Sequence, residues 1–181
     1  MANYRLNQEE VILVIIDLQE KLMKAMPERE KVYKNTQILL KTAEQLHIPV
    51  IVTEQYPKGL GATADKIKEY LNEYKYLEKT SFSAGALLNE LLVNSNRKTL
   101  IIAGSENHVC VFQTVRDMIA EGYNVHVVKD AVCSRFELNY CNGLELMREL
   151  GAVISNTETV IFDLFKTSGT PEFKVISAMI K

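Results

Sequence analysis

Short runs of consecutive apolar residues alternate along this chain with longer segments whose apolar residues recur every three or four positions. The short runs have the length and β-branched content of buried strands, and they fall at Val11–Ile16, Pro49–Thr53, Lys75–Glu78, Thr99–Ala103, Asn124–Val128 and Ala152–Ile154. The longer segments predict helices. In Glu30–Leu46 the side chains of Val32, Leu39, Ala43 and Leu46 share a face, and in Ala84–Val93 Leu87 pairs with Leu91 and Leu88 with Leu92 one turn on. The same spacing predicts helices over Ala64–Asn72, Val111–Glu121 and Glu137–Leu150. Two more are expected over Thr157–Phe165 and Pro171–Ile180, the latter opening on a proline whose missing N–H has no intrahelical acceptor to lose. Glu54–Thr63, with Pro57, Gly59 and Gly61, predicts a loop. Strands alternating with helices through short connections predict an α/β chain whose parallel sheet is covered on both faces.

Composition narrows the field. A length of 181 residues fits one domain, residues 1–181, large enough to bury a core without disulfides or metals. The chain is 47% hydrophobic and 24% charged with a formal net charge of -2, a balance that offers no pull toward nucleic acid or an anionic membrane. Cysteines at 110, 133 and 141 are odd in number and form no CxxC pair, as expected of thiols in a reducing compartment. The first ten residues lack a cationic region followed by an apolar stretch, and Val11–Ile16 is too short for a signal or a membrane span, so a cytoplasmic protein is expected.

In a parallel sheet, chemistry collects outside the carboxyl ends of the strands. Asp17-Leu-Gln19 follows the first strand, and Glu78-Lys79-Thr-Ser-Phe-Ser-Ala84 follows the third. Ala103-Gly-Ser-Glu-Asn-His-Val-Cys-Val111 follows the fourth and leads into a helix, placing Cys110 near its start. There, unpaired N–H groups and the positive end of the helix dipole favour a thiolate. A carboxylate, an ammonium and a thiol brought to one edge can form a base, a charge stabiliser and a nucleophile. Taken singly, each has a plainer role: Asp17 as a cap, Lys79 as a solvated charge, Cys110 as a small core residue.

These segments resemble the isochorismatase-like, nicotinamidase-related cysteine hydrolases. The resemblance runs from Ile15-Ile-Asp-Leu-Gln19 through Lys79–Ala84 and Gly104–Val111 to Gly169-Thr-Pro-Glu-Phe-Lys174. It includes Thr53–Gly61, which is similar to the small, single-domain branch of that family. It implies a Rossmann-like, doubly wound, mostly parallel six-stranded sheet with helices on both faces. It also implies a triad of Asp17, Lys79 and Cys110, a cis peptide at Ser105–Glu106, and an oxyanion hole made by the main-chain N–H groups of Glu106 and Cys110. The activity implied is hydrolysis of an amide or related C–N bond of a small molecule through a thioester, with no cofactor, and the assembly implied is a homo-oligomer. The apolar content of the last two predicted helices suits such an interface.

Phe82 matches the aromatic of the lysine motif and is placed to flank a planar substrate, while Gln19, Tyr56 and Leu60 lie on segments bordering the same edge. Glu54–Thr63 lacks the histidines that hold metal in nicotinamidases, which argues against zinc and against nicotinamide as substrate. His47, His108 and His126 are scattered and are expected to be structural. Gly59-Leu-Gly-Ala-Thr-Ala64 formally matches a dinucleotide fingerprint, but it follows the second strand with Pro57 intervening, where that motif does not work. Two further functions stay open: a scaffold or binding protein of the same fold, and a thiol-based redox or detoxification protein.

Overall fold

The computed structural model describes residues 4–180, so Met1–Asn3, part of the stretch expected to carry no leader, and Lys181 lie outside the described residues. The strands are β1 (Val11–Ile16), β2 (Val50–Gln55), β3 (Lys75–Lys79), β4 (Thr99–Ser105), β5 (Asn124–Cys133) and β6 (Val153–Ser155). They form one six-stranded sheet in the order β3-β2-β1-β4-β5-β6, and every neighbouring pair is parallel. The order reverses between β1 and β4, which opens a crevice at their carboxyl ends.

β1 shows why the sheet is covered twice. Val11, Leu13 and Ile15 join one buried cluster and Ile12, Val14 and Ile16 another, as the two-residue period of a strand requires. Full burial of each such side chain contributes roughly 1.5–3 kcal/mol. The first face is covered by α1 (Glu20–Met23), α2 (Arg29–Gln45), α4 (Asp65–Lys68) and α8 (Thr157–Phe165), the second by α5 (Gly85–Leu92), α6 (Phe112–Ala120) and α7 (Glu137–Glu149). α8 starts where the Asn156 side chain accepts the Thr159 N–H at 2.8 Å, an ordinary N-cap. α9 (Pro171–Ile180) turns Ile176 onto Ile38 of α2 and Ile161 of α8. The apolar residues of the last two helices are therefore largely used inside the chain, and Phe162 and Val175 are the large ones left exposed. Among the described residues no helix is long and apolar enough to cross a membrane.

Several boundaries differ from the sequence expectation. The loop after β2 contains a helical turn, α3 (Pro57–Leu60), with proline at its start, and α4 is shorter than the helix expected over Ala64–Asn72. β4 continues two residues past Ala103 to Ser105, and β5 runs on from Val128 to Cys133. The two remain paired through a register shift between Ile102 and Gly104. The extension brings the connection after β5 alongside the segment that leads to Cys110.

Gly104 permits this. It has φ +145°, and a Cβ there would fall 2.2 Å from the Ile16 carbonyl oxygen on the paired strand. Gly104→Ala is expected to destabilise the fold well beyond the roughly 1 kcal/mol of an average substitution. Urea denaturation checks this, and a loss under about 1 kcal/mol would mean β1 and β4 can separate locally.

Candidate active site

Asp17 is the residue after β1 and adopts a left-handed conformation (φ 51°), which aspartate tolerates better than bulkier residues do. It is fully buried, and both carboxylate oxygens have partners. Thr53 Oγ1 donates to Oδ1 at 2.6 Å, and Lys79 Nζ donates to Oδ2 at 2.6 Å. Lys79 ends β3, two strands away from β1, and pairs in register with Gln55 of β2. Its four-carbon stem therefore crosses the end of β2. The ammonium, with a side chain 0% exposed, also meets Gln55 Oε1 (2.8 Å), Phe82 O (2.8 Å) and Ser81 O (3.3 Å). A buried ammonium surrounded in this way is fully solvated by protein.

Cys110 comes from the other side of the crevice. The Ser105–Glu106 peptide is cis, as the resemblance implied. A π-helical turn, Asn107–Val111, then precedes α6, so Cys110 lies inside that wide turn rather than on the first turn of the α-helix. Its sulfur lies close enough to the Asp17 carboxylate, the Lys79 ammonium and the Glu106 main-chain N–H for each to bear on its ionisation. Thr114 ties the Cys110 turn to the lysine loop: its Oγ1 donates to the Cys110 carbonyl at 2.7 Å and accepts the Ala84 N–H at 2.9 Å. Ser83 donates to Asp117 of α6 at 2.6 Å, a second tie between the same segments.

The expectation of a favoured thiolate is corrected here. Burial, with the sulfur's residue only 6% exposed, and then the negative charge of Asp17 push the Cys110 thiol up to about 12. The Lys79 charge and the Glu106 N–H act the other way without prevailing. Lys79 is paired with Asp17 at 2.6 Å, so the thiol meets both charges of a near-neutral pair. Cys110 therefore rests as a thiol beside a carboxylate.

The remaining sequence candidates are placed differently. Gln19 is fully buried, and its amide is engaged by main chain: Nε2 donates to Gln55 O (3.0 Å) and Gly61 O (2.6 Å), and Oε1 accepts the Gln55 N–H (2.8 Å). It holds the loop after β2 against β1. Tyr56 is 53% exposed, has φ 39°, and lays its ring over Gly59, where a Cβ would fall 2.5 Å from Tyr56 Cδ1. Phe82 is 56% exposed while its carbonyl accepts from Lys79. Leu60 is half-buried on α3. His108 Nδ1 lies 2.9 Å from Ser134 Oγ, and His126 is buried on β5. Cys133 is buried in the core opposite that of Cys110, and Cys141 is exposed.

Sequence reasoning missed Thr53 and Gln55. Their signal was present: they stand two apart at the carboxyl end of β2, on the edge where Asp17 and Lys79 emerge. A cavity of about 340 Å³ opens elsewhere, at the edge of the sheet between Leu6, His126, Val153, Asn156 and Asp163. None of the three clustered residues lines it, so the chemistry is assigned to the crevice.

Comparison with known proteins agrees with this architecture. The chain is 37% identical over 183 residues to the secreted isochorismatase effector Isc1 of Phytophthora sojae, covering 98% of this chain and 87% of that one. It is 33% identical to isochorismatase domain-containing protein 2 of Xenopus laevis, covering 97% and 86%. Among solved structures, MAR1 ribonuclease from Caenorhabditis elegans superposes with a TM-score of 0.92 at 37% identity, over 97% of this chain and 92% of that one. The YcaC protein of Escherichia coli, described as an octameric hydrolase of unknown specificity, shares the fold with a TM-score of 0.87 at 23% identity, covering 99% and 92%. The Isochorismatase domain family matches residues 11–159, and the chain belongs to the isochorismatase family.

Proposed function

We propose that this protein is a cysteine hydrolase cleaving an amide or related C–N bond of a small molecule, with Asp17, Lys79 and Cys110 as the catalytic residues. The observation that carries the reading is the buried contact of the Cys110 thiol with a carboxylate held by Lys79 at 2.6 Å. Asp17 takes the thiol proton as the sulfur bonds to the carbonyl carbon, and the carbonyl electron pair moves onto oxygen. The main-chain N–H groups of Glu106 and Cys110 stabilise that oxyanion. Collapse restores the carbonyl and breaks the C–N bond, with the Asp17 proton passing to the departing amine. Water then attacks the thioester, giving its proton to Asp17, and the thiol is regenerated as the acid leaves. Lys79 remains charged throughout and keeps the carboxylate oriented.

Tyr56 and Phe82 present exposed aromatic surface on the two loops beside Lys79, suited to a planar substrate, while Gln19 shapes the first of these loops from within. No cofactor enters the steps. A sulfur this buried favours a small substrate over a polymer, and the formal charge of -2 supplies no general attraction for a polyphosphate. The ribonuclease name of the nematode relative is thus not carried over. The redox alternative is disfavoured because Cys110 and Cys133 lie in cores on opposite faces of the sheet. A single domain, a homo-oligomeric assembly and a cytoplasmic setting complete the proposal; the secreted relative makes the setting the part to test by fractionation.

Cys110→Ala is expected to abolish turnover of a panel of small primary amides, a loss beyond about a thousandfold. Mass mapping after acylation should find the adduct at 110 in the parent and none there in the variant, while the exposed Cys141 still alkylates. Full activity in Cys110→Ala would overturn the assignment.

A further inference from the structure

Three consecutive residues ahead of Cys110 are tied to one stretch of chain that carries none of the catalytic residues. The Glu106 carboxylate, on a side chain only 11% exposed, accepts the Arg135 main-chain N–H at 3.3 Å and its Nε–H at 3.1 Å. Asn107 Nδ2 donates to the Tyr140 carbonyl at 2.7 Å, and His108 Nδ1 lies 2.9 Å from Ser134 Oγ. Gly143 of α7 lets that helix approach, since a Cβ there would fall 2.8 Å from Asn107 Nδ2 and 3.0 Å from His108 Cα. Glu106 is the member of the trio whose main-chain N–H faces the Cys110 sulfur. Its carboxylate points the other way, close enough to Cys133 in the opposite core for its charge to act there.

We propose that Arg135 is a positioning residue, which grips the Glu106 carboxylate from behind and so fixes the direction of the Glu106 N–H toward the oxygen of a carbonyl under attack at Cys110. The inference rests on the hydrolase reading above. Charge-assisted bonds from a main-chain N–H and a guanidinium, both to Oε2, anchor the end of the Glu106 side chain. Without the guanidinium, a carboxylate this buried turns toward water, because an unpaired charge in that setting is unfavourable. The peptide attached to it then rotates, and an N–H···O bond weakens steeply as it bends. Arg135 itself needs no contact with substrate, and its half-exposed side chain is free to be replaced without opening the core.

Two reactions of the same sulfur separate this role from general structural damage. Acylation by p-nitrophenyl acetate bonds sulfur to the carbonyl carbon, builds an oxyanion and expels p-nitrophenolate, whereas alkylation by iodoacetamide displaces iodide and builds none. Second-order rates of both at Cys110 are compared by p-nitrophenolate release and peptide mass. Arg135→Met is expected to slow acylation at least tenfold more than alkylation, which falls only by the small share the Glu106 N–H has in the sulfur's ionisation, and Arg135→Lys to restore part of the loss. Glu106→Leu should show the same split, with no further loss in the double variant. Should Arg135→Met fail to fold, the Lys and Leu variants carry the same comparison. Parallel slowing of both reactions, or of neither, overturns the proposal. If the parent protein alkylates at Cys110 but is never acylated there, the hydrolase reading itself fails, an outcome distinct from loss of the split.

Discussion

Asp17→Asn is expected to make the Cys110 thiol easier to ionise and the protein inactive. Burial is the largest cause of the upward shift and survives the substitution, but the Asp17 charge is the next, and asparagine removes it. In the parent protein the alkylation rate at Cys110 should still be rising at pH 10, because the thiol keeps its proton up to about 12. In Asp17→Asn the inflection should move to lower pH. Turnover should nevertheless fall by about 10²–10⁴, since an amide cannot accept the thiol proton or return it to the leaving amine. An unchanged alkylation profile would show that the carboxylate does not govern the sulfur. Retained turnover would show that it is not the base.

The sign for stability follows from the same shift. An unfolded cysteine ionises near its ordinary value of about 8.5, whereas folded Cys110 and Cys133 both hold their protons up to about 12. Above pH 9 the folded chain therefore binds more protons than the unfolded one, and these two groups make the fold less stable as pH rises from about 9 to about 12.

Lys79→Met is the second substitution with a large expected effect. Breaking a buried ion pair by removing one member typically loses about 3–5 kcal/mol, because the other is left charged and unpaired. Here the orphan is Asp17, with a side chain 0% exposed and only neutral side-chain neighbours left, the Thr53 hydroxyl and the Cys110 thiol. Urea denaturation should show that loss, and Lys79→Met combined with Asp17→Asn should recover most of it, since the buried charge is then gone. If the double variant is no more stable than the single one, the loss comes from the lysine's contacts with Gln55, Ser81 and Phe82 and not from the charge on Asp17.

How much of this was legible in the sequence can be followed residue by residue. β1 agreed with the expected Val11–Ile16 to the residue, because six buried apolar positions in a row leave a central parallel strand little freedom. The placement of Asp17 and Lys79 at strand ends followed from the alternation of elements alone. What pattern could not reach were contacts between segments distant in sequence. The ends of β4 and β5 sustain each other through a shifted register, and neither Gly104-Ser105 nor Lys129-Asp130 looks like a strand in isolation. The state of the thiol was misjudged for the same reason. A cysteine near a helix start suggests an anion when considered locally, but its ionisation is set by burial and by a carboxylate 93 positions earlier in the chain. Gln19, a polar residue two positions after Asp17, was taken for a substrate contact from its place alone, and its amide proves to be occupied by the main chain of Gln55 and Gly61.

Gly143 has a bearing on how this chain tolerates change in length. Connections between strands and helices are ordinarily where insertions and deletions accumulate. Between β5 and α7 that freedom is closed: one residue more or fewer would present Asn142 or Leu144 where only a residue without a side chain fits against Asn107 and His108. The three-residue link Ser134–Phe136 should thus keep its length as well as its contacts to Glu106 and His108, and grafting a longer loop there would push the Cys110 turn out of line rather than merely decorate the surface.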